Sequence, residues 1–494
     1  MVERQVDSRR AGAVIVAVFF ALSRLAYFAA GVRFDVHPLD FFIQYPDPVL
    51  LRTDLLRTSY YWHMTPPLYN LFLGAILKIF GGNYAVALQT VYVLAGLFLA
   101  VSLYLLMRSL AASQLPSMLL TAIFVASPAT VLYENWLYPD YLIAALLPFM
   151  AWLLGRAVTR RSMPALVAFF SLAAAIVLSR SFYHLGWLIL IVALLLLMNR
   201  GWRSRILVAA ALPILLCALL YVKNNAVFGF FSGSSTYGVQ AYYGTTLQLT
   251  PAELHLFRDQ GKISDLSVGA DVWYAQHPGI FNPRTGVPAL DQVMKSTGFI
   301  NWNNRGYIEV WNQYGRDATA TVKARPTVVL RALRMGLLVL FAPSDSYEFS
   351  AANRSHLSGL ERLVDTGLYG QPRYVARANQ DPANFRGAQL GDRLREVGWF
   401  IVLGYVIALA CGAFMLWRTL RHRSRPDLAL MIAFTLFTVC YIVIVDVPFG
   451  SPDNNRYRFM ADPMVTALLA VALTALLARL RRTVTRPGRR GAAG

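Results

Sequence analysis

Apolar and polar positions along this chain fall into long blocks, not into the short alternations of a soluble domain. Uninterrupted apolar runs occupy residues 11–31, 84–107, 115–133, 139–155, 164–180, 183–199, 205–222, 397–417, 428–446 and 462–480. A hydrocarbon core about 30 Å thick is crossed by about 20 apolar helical residues. These ten runs are therefore predicted to be transmembrane helices. Two more runs do not fit as spans. Residues 67–80 are short, and residues 326–342 carry Arg331 and Arg334. Both are predicted to be helices lying at, or dipping into, one interface. The first run is too long for a removable signal peptide and lacks a small-residue cleavage site. The expected fold class is an all-α polytopic membrane protein of about 10–12 transmembrane helices, with interfacial helices and a large outer loop region.

The connections predict the orientation. Arg156, Arg160 and Arg161 occupy one short link, Arg200, Arg203 and Arg205 the next, and Arg418, Arg421, Arg423 and Arg425 a third. The tail holds Arg479, Arg481, Arg482, Arg486, Arg489 and Arg490. Short basic loops stay cytoplasmic. With ten spans, these clusters and the N-terminal Arg4, Arg9 and Arg10 share one side. Segments 32–83, 134–139, 180–184, 223–396 and 447–461 then face the other. The chain divides accordingly into an N-terminal membrane module at 1–222, whose first outer loop is 32–83, and an outer region at 223–396. C-terminal membrane helices at 397–480 and a basic tail at 481–494 follow. The setting expected is a prokaryotic inner (plasma) membrane, with both termini cytoplasmic and the chemistry periplasmic.

Composition agrees. Hydrophobic residues make up 56% and charged residues 15%, with mean hydropathy +0.46, too little charge for a soluble surface. The net charge of +20 would suit a nucleic-acid partner, but its arginines sit at span ends, so no such partner is expected. Cys217, Cys411 and Cys440 lie in apolar runs, which excludes a disulfide scaffold, and no Cys/His spacing suggests structural zinc. The outer region is rich in Gly, Asn and Tyr. Thr250-Pro251-Ala252-Glu253 reads there as a capping box with proline in the first helical turn.

The outer side carries the candidate chemistry. Asp35, His37, Asp40, Asp47 and Asp54 crowd the first loop. A carboxylate held at the depth of a lipid phosphate suits a general base. The D-x-H-x-x-D spacing of Asp35, His37 and Asp40 also permits a divalent cation, which the sequence does not require. Glu134 and Asp140 end two spans with five residues between them, and charge so near hydrocarbon is costly unless it is paired or functional. Arg180, His184, Lys223, Arg456 and Arg458 put cations on this same side. Lysine or arginine at a span end ordinarily snorkels to water. Here the cations recur at separate helix ends opposite acid-bearing loops, an arrangement that suits a phosphate head group.

Four stretches carry a resemblance to a known family. They are H-x-x-P-P-L-Y at His63–Tyr69, Tyr138-Pro139-Asp140, the R-Y-R of Arg456–Arg458, and the K-N-x-x-x-F-G-x-F stretch that opens with Lys223 and Asn224. The chain resembles the GT-C superfamily of membrane glycosyltransferases, which use polyprenyl-phosphate sugars. Within it the chain looks like the protein O-mannosyltransferase and aminoarabinose-transferase branch. The likeness covers residues 11–222, with 447–480 joined by a short motif. It implies a GT-C-like bundle and a sugar donor on a polyprenyl phosphate. The acceptor is a glycan, a lipid or a protein. It implies a catalytic base among Asp35, Asp40 and Asp47, positioning of acceptor or donor by His63, Glu134 and Asp140, and phosphate binding by Arg180, His184, Lys223, Asn224, Arg456 and Arg458. The Asp-Glu pair of the family's first loop is absent, and Asn454 stands where many relatives carry an acid, with Asp453 one step earlier. Neither a P-loop nor a G-x-G-x-x-G strand–helix turn is present, in keeping with a lipid-borne donor. The competing expectation is a lipid or glycolipid transporter, against which stands the lack of paired broken helices in two halves.

Overall fold

The computed structural model describes residues 2–268, 284–344, 351–369, 394, 397–422, 425–449 and 454–484. Asp453, Arg423 and the tail residues Arg486, Arg489 and Arg490 lie outside the described residues. Among the described residues every regular element is helical, and pairing of the β type is limited to two isolated bridges, Asp35 with Trp136 and Met294 with Ile300.

Each of the ten apolar runs is helical. Seven helices among the described residues are long and apolar enough to cross a membrane: Arg9–Ala29, Leu68–Ser109, Pro139–Thr159, Arg200–Phe228, Trp399–His422, Pro426–Asp446 and Asn454–Arg482. The run at 115–133 is instead a bent pair, Gln114–Ala126 and Pro128–Glu134, meeting at 58°. Pro128 is the cause. It has no N–H to give and forces the preceding residue out of the helical region, so Ser127 is extended (φ −66°, ψ 146°) and its hydroxyl caps the second piece at Thr130. Met163–Ser179 and Leu185–Met198 are apolar but only 17 and 14 residues long. The chain is thus a polytopic membrane protein.

The two runs set aside as interfacial differ from each other. Within Leu68–Ser109, Leu68–Phe80 folds back through the turn Gly81–Asn83, where Gly81 takes φ +52°, onto Tyr84–Ser109, so that Tyr69 and Tyr92 meet hydroxyl to hydroxyl at 2.7 Å. A straight helix would hold those two residues about 35 Å apart, so the short run is one arm of a helical hairpin. The other run is the helix Val328–Leu340, whose Arg331 grips Glu253 through Nη1 (2.7 Å) and Nη2 (3.2 Å). Glu253 completes the capping box with Thr250 at the start of Pro251–Asp259.

Pro139–Thr159 is the central helix. It packs against Tyr84–Ser109, Met163–Ser179, Pro426–Asp446 and Asn454–Val484. Its most apolar stretch is 61% buried, against 17% for the peripheral Arg9–Ala29 and Trp399–His422. Outside the bundle, Trp62 and Met64 of the first loop share an aromatic core with Tyr242, Trp302, Trp311 and Tyr314 of the outer region. Gly238 lets two helices of that core touch backbone to backbone, since a Cβ there would overlap the Trp311 carbonyl.

Candidate functional site

Asp140 sits in the first turn of the central helix, after an extended Tyr138 at the N-cap and with Pro139 in the first turn. A carboxylate is favoured there by the exposed N–H groups and the helix dipole. Its side chain is fully buried and lies between two guanidiniums. Arg180 Nε is 3.0 Å from Oδ1 and Arg456 Nε is 3.5 Å from Oδ2. Arg180 is the extended C-cap of Met163–Ser179, and Arg456 lies in the first turn of Asn454–Val484. Three helix ends distant in sequence therefore meet at one carboxylate.

Two tyrosines wall this cluster. Arg456 Nη1 donates to the Tyr138 hydroxyl (2.5 Å) and Nη2 to the Tyr457 hydroxyl (3.1 Å). The guanidiniums of Arg180 and Arg456 lie 4.9 and 5.0 Å from the Tyr138 ring centre, within cation–π range. Arg180 Nη1 donates to Gln44 Oε1, which fastens the first loop to the cluster. Arg180 Nη2 is buried and has no hydrogen-bond partner among the described residues. A buried donor without a partner costs about 1–3 kcal/mol unless a ligand supplies the acceptor.

The first-loop acids have three different fates. Asp47 is buried and saturated: it caps Pro48–Thr53 at Val49 N (2.7 Å) and accepts from Ser296 N (2.5 Å) and Ser296 Oγ (2.7 Å). Asp35 joins the second outer turn through its backbone, accepting from Leu137 N (3.0 Å) and donating to Asn135 O (2.8 Å). Its carboxylate accepts from His37 N (2.9 Å). Asp40, in the short helix Pro38–Phe41, is half-buried, and its carboxylate accepts no hydrogen bond from the described residues. Phe42 packs edge-on against Tyr138 at 5.1 Å, and the Tyr45 hydroxyl donates to Leu137 O (2.8 Å), so the 40–45 stretch lies over the Asp140 turn. The D-x-H-x-x-D stretch does not gather as ligands. Among the described residues no three His, Cys, Asp or Glu side chains group as a metal site.

The remaining candidates are joints. His63 is fully buried, with Nε2 3.0 Å from Asn303 O and Nδ1 2.8 Å from Ser235 Oγ. A carbonyl only accepts, so Nε2 carries the proton and Nδ1 accepts from the serine. Burial lowers the His63 pKa to about 3, which keeps the ring neutral. Lys223 Nζ donates to Tyr60 O (3.0 Å) and Trp62 O (3.3 Å), and Asn224 Nδ2 to Ser232 O (2.7 Å). Both tie the end of Arg203–Phe228 to neighbouring loops. Glu134 forms a two-pronged pair with Arg24 (2.7 Å to each oxygen) and accepts from the Tyr141 hydroxyl (2.5 Å). Arg458 Nη1 donates to Leu340 O (2.9 Å) and Ala342 O (2.8 Å), stopping the helix Val328–Leu340. His184 is exposed, and its Nδ1 lies 3.3 Å from the Tyr441 hydroxyl.

Sequence reasoning passed over Gln44, Arg24, Tyr457 and Lys295. Arg24 carries its own signal, a charge inside an apolar run. Lys295 carries none, because nothing in its neighbourhood in sequence marks it as buried. The family-like motifs do come together. Tyr69 closes H-x-x-P-P-L-Y, its hydroxyl is 2.7 Å from that of Tyr92, and Tyr92 donates to Tyr138 O (2.6 Å). That chain leads from the first motif to the second, and Arg456 brings in the third.

No protein-family model and no curated protein matches this chain. Among solved structures it is similar to an archaeal oligosaccharyltransferase, AglB from Archaeoglobus fulgidus, in complex with an inhibitory peptide and a dolichol-phosphate. The identity is 15% and the TM-score 0.38, over 98% of this chain and 52% of that one. This chain therefore spans about half the length of that protein, and a likeness at this level carries no argument about activity.

Proposed function

We propose that the protein is an integral-membrane glycosyltransferase of the GT-C type, in the branch of protein O-mannosyltransferases and aminoarabinose transferases. It moves a sugar from a polyprenyl-phosphate carrier to an acceptor hydroxyl at the periplasmic face of an inner membrane. The observation that carries this reading is the buried Arg180–Asp140–Arg456 cluster, in which Arg180 Nη2 has no acceptor among the described residues. A polyprenyl-phosphate sugar is a phosphodiester bearing one negative charge, whose oxygens supply that acceptor. Arginine suits such a phosphate because its planar fork bonds two oxygens at once. Asp140 spaces and orients the two guanidiniums.

Asp40 is the base in this scheme, because Asp47 is saturated and Asp35 is engaged by His37 N. It takes the acceptor's hydroxyl proton as the oxygen attacks the anomeric carbon from the face opposite the phosphate. The bond from that carbon to the phosphate oxygen breaks, and its electron pair leaves with the carrier. The anomeric centre inverts. The phosphate gains a second negative charge, which Arg180 and Arg456 stabilise more strongly than the ground state.

The test is reconstitution in proteoliposomes with a panel of polyprenyl-phosphate hexoses and pentoses labelled in the sugar. Label appearing on a cell-envelope acceptor supports transfer, and its loss in Asp40→Asn and Arg456→Met assigns the roles. Labelled lipid that crosses the bilayer with its sugar still attached would make the protein a transporter and end this reading.

A further inference from the structure

The outer region reaches the proposed base through one tight turn. Met294 and Ile300 pair across it, Lys295 N donates to Phe299 O (2.7 Å), and Gly298 N donates to Lys295 O (3.0 Å). Gly298 takes φ +82°, which lets the chain reverse without a Cβ penalty. The three residues at the tip each grip the first loop. Lys295 Nζ donates to Phe42 O (3.0 Å), Ser296 binds both oxygens of Asp47, and Thr297 Oγ1 donates to Asp40 O (2.9 Å). Phe299 adds a ring contact to Phe41 at 5.9 Å.

Lys295 is only 3% exposed. A buried ammonium is tolerated when charge and hydrogen bonds compensate it. The carboxylates that act on it are Asp47 and Asp40. Asp47 is already satisfied by three hydrogen-bond donors, whereas the Asp40 carboxylate is open. The other titratable group beside the pair is His37, whose ring lies 5.1 Å from that of Phe41 and 6.4 Å from that of Phe299.

We propose that Lys295 is a positioning residue for transfer: it fixes the Asp40–Phe42 backbone and sets a buried positive charge next to the proposed base. The inference rests on Asp40 being the base. Burial lowers the Lys295 pKa to about 7 against the opposing pull of Asp47 and Asp40, so its charge is present below neutral pH.

The experiment is the pH profile of kcat/KM for transfer by the full-length protein in proteoliposomes, using whichever labelled polyprenyl-phosphate sugar of the panel turns over. Loss of a nearby cation raises a carboxylate pKa. In Lys295→Met the acid limb should therefore move up by about one pH unit, with donor KM within about twofold, and Lys295→Arg should restore the limb. Thr297→Val removes only the bond to the Asp40 carbonyl and should lower kcat about fivefold with the acid limb in place. An acid limb in Lys295→Met that coincides with the wild type overturns the proposal. If Lys295→Met does not assemble, an unchanged kcat in Thr297→Val overturns it. Asp40→Asn separates the two levels. Inactive Asp40→Asn beside an unmoved Lys295→Met profile removes the role of Lys295 alone, whereas fully active Asp40→Asn removes Asp40 as base.

Discussion

Replacing Asp140 by Asn tests the cluster most directly, because it deletes one charge and changes almost no volume. The carboxylate is the shared counter-ion of Arg180 at 3.0 Å and Arg456 at 3.5 Å, and all three side chains are at least 97% buried. At an effective dielectric near 20, two unit charges about 4 Å apart interact by about 4 kcal/mol. The variant loses two such attractions and leaves two cations repelling each other, while the amide oxygen recovers part of the hydrogen bonding. Breaking a buried pair from one side costs about 3–5 kcal/mol, and about 4 kcal/mol is expected here. Reversible SDS unfolding of the purified full chain in mixed micelles reads this loss. The double variant Asp140→Asn/Arg456→Met removes the repulsion with the counter-ion, so it should be less destabilised than the summed singles by about 2 kcal/mol. An Asp140→Asn protein within about 1 kcal/mol of wild type, or strictly additive singles, would refute the picture of one carboxylate holding two guanidiniums.

Other predictions follow from the same geometry. Arg456→Met should abolish donor binding in a labelled-lipid pull-down, whereas Arg458→Met should retain it and lower stability, because Arg458 bonds Leu340 O, Ala342 O and the nearby Asp462. Glu134→Gln should cost about 3 kcal/mol in SDS unfolding by leaving Arg24 uncompensated in the first helix, and Arg24→Met added to it should recover part of that loss. Gly238→Ala should destabilise the outer region by about 3 kcal/mol, read as faster proteolysis there, since the clash is with the Trp311 backbone and not with a movable side chain. His63 titrates at about 3 when folded and 6.5 when unfolded, so the unfolded chain binds more protons between those values and stability falls as pH drops from 6.5 towards 3. The full loss is up to about 5 kcal/mol, and His63→Gln should flatten the slope in that window.

Much of the site was legible in residues whose chemistry is expensive where they stand. Asp140 and Arg456 were readable because a charge at the end of an apolar run demands a partner. The same rule asked for partners at Lys223, Glu134 and Arg458, and the structure supplies loop carbonyls to the first, an arginine of the first span to the second, and two carbonyls with Asp462 to the third. A sequence gives the need for a counter-ion without giving its address. The choice among Asp35, Asp40 and Asp47 was unreadable for a related reason. All three have the same intrinsic chemistry, and what separates them is which donors reach each carboxylate: Val49 N and Ser296 for Asp47, His37 N for Asp35, and none of the described residues for Asp40.

The sequence by itself determined that this chain lives in a bilayer as helices, because hydrocarbon offers no partner to a backbone N–H or C=O and the lengths of the apolar runs are set by bilayer thickness. The break at Ser127-Pro128 falls inside a run predicted as one span, and the fold decides it as well, since Pro148, Pro213 and Pro463 lie inside unbroken helices. Only the tertiary structure decided that Arg180 and Arg456 share Asp140, that Gln44 fastens the first loop to them, and that Lys295 holds the Phe42 carbonyl. Local rules act over a few residues of chain. These contacts join positions 44, 140, 180, 295 and 456, and such pairings are set by how the helices pack.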